Sequence, residues 1–247
     1  MFDALAKGYN GLSLNDCMHT GPNFLPDLVA LLLRFRRWKV ALTADVVKAF
    51  LQVAVHAADR DAHRFLWGDK IMRFTRVPFG NRASPFLLCA TIRHHLSLYP
   101  HSLVVDELME NLYMDDWITG CDSEEQVQRM FQEAQAIMKQ AGMVLSKWTS
   151  NSKTFSDKES ESTKVLGMRW SPGTDAFSFD GIQVPSTLCL TKRGILSLIS
   201  RLFDPLGLLN PFIIRAKILF QSLWREDYGW DQTLSQEWKD WLGDWLS

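Results

Sequence analysis

The chain has 247 residues, 47% of them hydrophobic, and a net charge of −1. That length and composition allow a real core and exclude a disordered polymer. The near-neutral balance excludes a globally basic nucleic-acid binder, and no apolar run approaches the roughly 20 residues of a membrane helix. The first residues, "MFDALAKGYNG", lack the basic start and apolar stretch of a signal peptide. Residues 26–37, "PDLVALLLRFRR", read as a helix opened by Pro26 and ending in a basic cluster. "KVALTAD" follows as a buried strand ending at Asp45, and "FLQVAVHA" as a further extended or turn-then-strand piece. "RFLWGDKIMRFTRVPFG" reads as a β-hairpin turning at Gly68-Asp69. Ser84 and Pro85 read as N-cap and first residue of a helix reaching about Tyr99.

Residues 111–120, "NLYMDDWITG", read as a hairpin with the acids Asp115 and Asp116 at its turn. Ser123 and Gln126 then form a capping box. Val127, Met130, Phe131, Ala134, Ile137, Met138 and Ala141 recur at helical spacing behind it, and Gly142 closes the helix. "SNSKTFSDKESEST" (150–163) is loop-like, and "KVLGMRW", "FSFDG" and "IQVP" read as short strands. Helices follow from Thr191 to Phe203, from Asn210-Pro211 to about Arg225, and over "SQEWKDWLGDWLS". In the last of these, Trp238, Trp241, Leu242, Trp245 and Leu246 share one face that reads as awaiting a partner or as packed core. From about residue 38 to 190 the order is α+β, and the remainder is a helical annex.

The chemistry lies with the acids. A strand-turn-strand presents turn carboxylates at a sheet edge, and two close carboxylates repel unless a cation lies between them. Such oxygens suit Mg²⁺. Asp45, at the end of an apolar strand, is the natural third acid, and the set has the layout of a two-metal phosphoryl-transfer site. On the dipeptide alone, a solvated surface turn is the bland alternative, as it is for Asp59-Arg60-Asp61. The six histidines show no ligand spacing, and Cys17, Cys89, Cys121 and Cys189 form no CxxC pair. Reduced thiols without a signal peptide point to the cytoplasm or the nucleus.

With Tyr113-Met114-Asp115-Asp116 the chain resembles the YxDD box of reverse transcriptases. "TADVVKAFLQV" (43–53), "VPFGNRASPF" (77–86), "AGMVLSKWTSN" (141–151) and "VLGMRW" (165–170) resemble that family's other segments, in its order. The finer resemblance is to the polymerase of BEL/Pao-type LTR retrotransposons. It is carried by "GLSLNDCMHTGPNFLPDLVALLLRFR", "DRDAHRFLW", "LSKWTSN" and "TKRGILSLISRLFDPLGLLNPFIIRAKILFQSLW".

The resemblance implies a right-hand polymerase. Residues 1–175 would form the palm with partial fingers at about 53–84, and residues 176–247 a truncated thumb- or connection-like helical region. It implies two Mg²⁺ ions, or Mn²⁺, with Asp45, Asp115, Asp116 and the Val46 carbonyl as ligands. Lys48 and Ala49 would offer backbone N–H groups to the triphosphate, and Phe50 would exclude a 2′-hydroxyl. Phe79 and Gly80 would line the nucleotide pocket. Lys147 would protonate the departing pyrophosphate, and Leu166, Gly167 and Met168 would grip the primer end. Arg64, Arg73, Arg76 and Arg82 are expected to face a template or triphosphate, and Arg34, Arg36, Arg37 and Lys39 to be a solvated helix end or phosphate contacts. Implied partners are an RNA or DNA template with its primer, a dNTP, and the rest of a polyprotein (N-terminal fingers, RNase H, integrase), expected outside this chain. No membrane is implied. The alternatives are a catalytically inactive remnant binding nucleic acid or protein, or another palm-type enzyme such as a nucleotide cyclase.

Overall fold

The computed structural model describes residues 3–152, 162–181, 184 and 189–246, in two units, 1–160 and 161–247. In the first unit the chain forms α1 (Leu28–Phe35), β1 (Val40–Val46), a single turn α2 (Ala49–Gln52), and the hairpin β2 (Arg64–Trp67) and β3 (Lys70–Arg73). Then come α3 (Ser84–Leu96), α4 (Leu103–Asn111), β4 (Leu112–Tyr113), β5 (Asp116–Cys121), α5 (Glu124–Gln140) and β6 (Leu145–Ser150). An antiparallel sheet runs in the order β4-β5-β1-β6.

The central strand β1 explains why this sheet forms. Val40, Ala41, Leu42, Ala44 and Val46 are all buried, so both faces of the strand are covered and the sequence is nearly continuous in apolar residues. Helix α5 packs on β1, β5 and β6, and α4 packs on β5 and α5. Val127, Met130, Ala134, Ile137 and Met138 are buried, as the helical spacing predicts. Ser123 Oγ accepts from the Gln126 N–H, but the Gln126 side chain accepts from Asp122 rather than closing a capping box on Ser123. Trp117, fully buried, meets Trp148 edge-on and donates its indole N–H to the Glu107 carbonyl.

Three local expectations change. Helix α4, capped by Ser102 Oγ accepting from the Val105 N–H, occupies residues that the sequence left between α3 and the acid hairpin. Val104, Val105 and Leu108 bury one face of it, and that packing overrides the strand preference of the valines. "FLQVAVHA" is a turn followed by only a single bridge in place of a full strand: it gives most of α2, a lone bridge from Ala54 to Arg76, and the start of a 3-10 turn at Ala57–His63. Ser84 is not the N-cap of α3; its hydroxyl donates to the Pro78 carbonyl at 2.7 Å, and Ala83 occupies the cap.

The second unit holds β7 (Thr163–Val165), β8 (Met168–Ser171) and β9 (Ala176–Ser178) in one antiparallel sheet, followed by α6 (Lys192–Ile199), α7 (Asn210–Arg225) and α8 (Gln236–Leu246). The expected strand "IQVP" lies largely outside the described residues. Thr191 caps α6. The tryptophan face of α8 is packed: Leu242 and Trp245 are buried with Ile195, Leu198, Ala216, Leu219 and Leu223, and Trp245 stacks on Phe212 at 4.7 Å. Lys192 is only 2% exposed, and its Nζ lies 3.8 Å from the centre of the Trp224 ring and 5.6 Å from that of Trp230. Arg193 pairs with Asp231 through two bonds, at 2.7 and 3.1 Å. The division at 160/161 falls earlier than the 175/176 boundary expected from the sequence, so the β7–β8 hairpin groups with the C-terminal helices. Among the described residues no helix is long and apolar enough to cross a membrane.

Candidate active site

Asp45, near the end of β1, pairs directly across the sheet with Asp116, the first residue of β5. Residues opposite each other on antiparallel strands project to the same face with Cβ atoms roughly 5 Å apart, and like charges there repel. Asp115 lies in the two-residue loop between the paired Tyr113 and Asp116, and its carbonyl accepts from the Val46 N–H at 2.8 Å. The backbone therefore gathers all three acids at one end of the sheet.

The electrostatics carry the mark of that gathering. Burial first, then the neighbouring Asp115 and Asp45 carboxylates, push Asp116 up to about 6, and Lys147 opposes the rise. Lys147 Nζ lies 3.2 Å from Asp45 Oδ2, and the Ser146 hydroxyl donates to the Asp45 carbonyl at 3.4 Å. In these rotamers no three His, Cys, Asp or Glu side chains among the described residues are grouped closely enough to ligate an ion. The expected convergence is thus present in the backbone, while the side chains are not closed into a cage. The chemistry of the set still fits a hard divalent cation: three carboxylates against a single ammonium leave negative charge in excess. Reverse transcriptases as a family work with such ions.

The backbone around the acids is unusual. Lys48 (φ 50°), Met114 (φ 58°) and Lys147 (φ 53°) are left-handed without being glycine. Each such conformation costs on the order of 1 kcal/mol and persists only where the surroundings impose it. Met114 takes the first loop position of the acid hairpin, where short hairpins prefer glycine.

The remaining expected residues divide between this site and elsewhere. Phe50 is 8% exposed in α2, and its ring meets that of Phe79 edge-on at 4.8 Å; Phe79 itself is 61% exposed. Lys48 and Ala49 form the turn between β1 and Phe50. Gly80, at φ 94°, belongs to a loop held from below by Asn15. The buried Asn15 amide donates to the Gly80 carbonyl at 2.9 Å, and its oxygen accepts from the Arg82 N–H at 2.8 Å. Sequence reasoning missed this role of Asn15; an asparagine in a loop carries no signal of a partner 65 residues away. The arginines expected to face a ligand are engaged with the protein. Arg64 and Arg73 share Asp61, Arg76 donates to the Gln52 carbonyl, and Arg34 donates to Asn111 and to the Glu110 carbonyl. Leu166 (φ 47°) and Gly167 (φ 87°) form the two-residue turn between Val165 and Met168 in the second unit.

An antiparallel sheet with acids at a strand end and a hairpin tip, backed by helices, is the layout of a palm-type domain. A family model described as reverse transcriptase (RNA-dependent DNA polymerase) matches residues 13–170, and one described as a Pao retrotransposon-like RNaseH-like domain matches residues 191–246. The chain belongs to the reverse transcriptase family and, with its C-terminal match, fits a Pao-type retrotransposon reverse transcriptase. The resemblance implies a thumb- or connection-like region here and an RNase H part outside the chain; the family description instead attaches the RNaseH-like name to α6, α7 and α8.

Among solved structures the chain resembles the foamy viral protease-reverse transcriptase in complex with RNA/DNA hybrid (16% identity, TM-score 0.61, covering 90% of this chain and 28% of that one). It also resembles the dRH form in complex with ds DNA (17%, 0.63, 92% and 38%) and the enzyme with dsDNA (17%, 0.61, 93% and 45%). At these identities the likeness is one of fold, and the chain spans less than half the length of those structures. No curated protein matches it.

Proposed function

We propose that the first unit carries RNA-directed DNA polymerisation: transfer of a nucleotide from a dNTP to a primer 3′-hydroxyl with release of pyrophosphate. The observation that carries this reading is the cross-strand pair Asp45–Asp116, with Asp115 tied to the same strand end through the Val46 N–H. Catalysis of this kind is mainly positioning and charge stabilisation. Asp45, Asp115, Asp116 and the Val46 carbonyl would hold two Mg²⁺ ions, or Mn²⁺. Such ions, when bound, activate the attacking oxygen and steady the leaving one. Phe50, braced by Phe79, would sit under the sugar and leave no room for a 2′-hydroxyl. Lys48 and Ala49 N–H groups would meet the triphosphate, and Gly80 with Phe79 would line the base side. Lys147 would give its proton to the departing pyrophosphate.

An RNA or DNA template with its primer belongs to this reading, supported by the nucleic-acid complexes of the foamy viral relatives. So does a longer polyprotein contributing the remaining fingers and RNase H parts. Extension of oligo(dT) on poly(rA) with Mg²⁺ and dTTP, comparing the chain with its Asp115→Asn form, tests it. Extension lost in the variant supports the reading; extension that survives it, or none from either form, overturns the reading for this chain.

A further inference from the structure

Lys147 reaches Asp45 from a position that should point it away. In the β1–β6 ladder Asp45 pairs with Ser146, so Ser146 shares its face and the next residue, Lys147, belongs to the opposite one. Two irregularities reverse this. The ladder shifts register between Thr43 and Asp45, and Lys147 itself is left-handed at φ 53°. Bulged ladders re-aim side chains in this way. The result is an ammonium 3.2 Å from Asp45 Oδ2, on a lysine whose side chain is 75% exposed against 23% for Asp45.

Stability does not explain the arrangement. An ion pair with one partner this exposed contributes little to folding, and the left-handed lysine opposes it. What the pair does change is the charge at the mouth of the acid site, where the Lys147 ammonium also opposes the rise that Asp115 and Asp45 impose on Asp116. Asp45 has one oxygen occupied by a group that can leave without disturbing the core.

We propose that Lys147 is a resident counter-ion of Asp45, displaced when a divalent cation takes Oδ2 and free only then to serve the triphosphate. The inference rests on the polymerase reading above. It orders the events: Lys147 cannot hold Asp45 Oδ2 and reach a triphosphate at the same time, so the lysine would be free only once a cation had taken its place on that oxygen.

The test is a Mn²⁺ titration of the full chain followed by the electron paramagnetic resonance of free Mn²⁺. Only binding lost in Asp45→Asn is assigned to the site. Lys147→Met should bind Mn²⁺ about three- to tenfold more tightly than the unaltered chain, because a competitor and a like charge are removed. Lys147→Arg should stay near the unaltered value. Primer extension by Lys147→Met should fall despite the tighter binding. Equal thermal midpoints show that the variants are folded, as the exposure of Lys147 predicts. Unchanged or weaker Mn²⁺ binding in Lys147→Met, or equal tightening in Lys147→Arg, overturns the inference alone. Binding that Asp45→Asn does not weaken overturns the cation site itself, and the inference with it.

Discussion

At the sheet end of the first unit Asp45 has the Lys147 ammonium while Asp116 stands against the charges of Asp115 and Asp45, whereas in the second unit Lys192 lies against two indole rings and Arg193 has a carboxylate of its own. The first arrangement leaves charge unbalanced: Asp116 is pushed up to about 6, chiefly by burial and then by Asp115 and Asp45. The second balances it within the fold: the Arg193 guanidinium holds Asp231 below the usual carboxylate range, and Asp231 raises Arg193 in turn. Lys192 keeps its ammonium on the negative faces of Trp224 and Trp230, which attract it. A region that satisfies its own charges is built to stay as it is, and one that does not is built to receive something.

If that contrast is right, substitutions in the two regions fail in different ways. The largest effect is on chemistry: Asp45→Asn or Asp115→Asn should lower primer extension by about a thousandfold while leaving the circular dichroism spectrum unchanged. Next is a purely structural loss in the other unit. Lys192→Ala removes a buried stem and its cation–π contact, and should destabilise the second unit by about 1–3 kcal/mol in urea unfolding; an unaltered midpoint would break the comparison.

Asp116→Asn should do the opposite in metal-free protein. The folded-state pKa of Asp116 lies above its ordinary value of 3.8, so the folded form binds the proton more tightly. Stability conferred by that proton is present at low pH and is lost as pH rises through about 6. The variant should therefore be more stable than the unaltered chain above that pH, by on the order of 1 kcal/mol once solvent screening is discounted, and equal to it near pH 4. Melting curves at both pH values decide the sign. Smallest of all, Arg193→Ala breaks an exposed pair and should leave the thermal midpoint where it is.

How much of this could be read in the chain itself depended on how local the signal was. The strand ending at Asp45, the acid hairpin and the helix behind Ser123 were legible, because apolar periodicity and capping are written in neighbouring residues. The short helix Leu103–Asn111 was not, since its valines and its brevity carry no helical period without the sheet it packs on. The three acids were found as a set, but the pairing of Asp45 with Lys147 was hidden: the two are 102 residues apart and meet only through a register shift in the ladder between their strands. Likewise Arg64 and Arg73 looked available for a ligand until Asp61 was seen between them.

The acid hairpin has no slack: Tyr113 pairs with Asp116 across two residues, one of them already left-handed. The Met114 side chain can be exchanged, but chain length cannot. One inserted residue would slide β5 past β1 and turn Asp116 to the other side of the sheet, away from Asp45. In any lineage descended from this chain, insertions should therefore gather in segments such as the β2–β3 turn and be missing between residues 113 and 116, whatever replaces Met114.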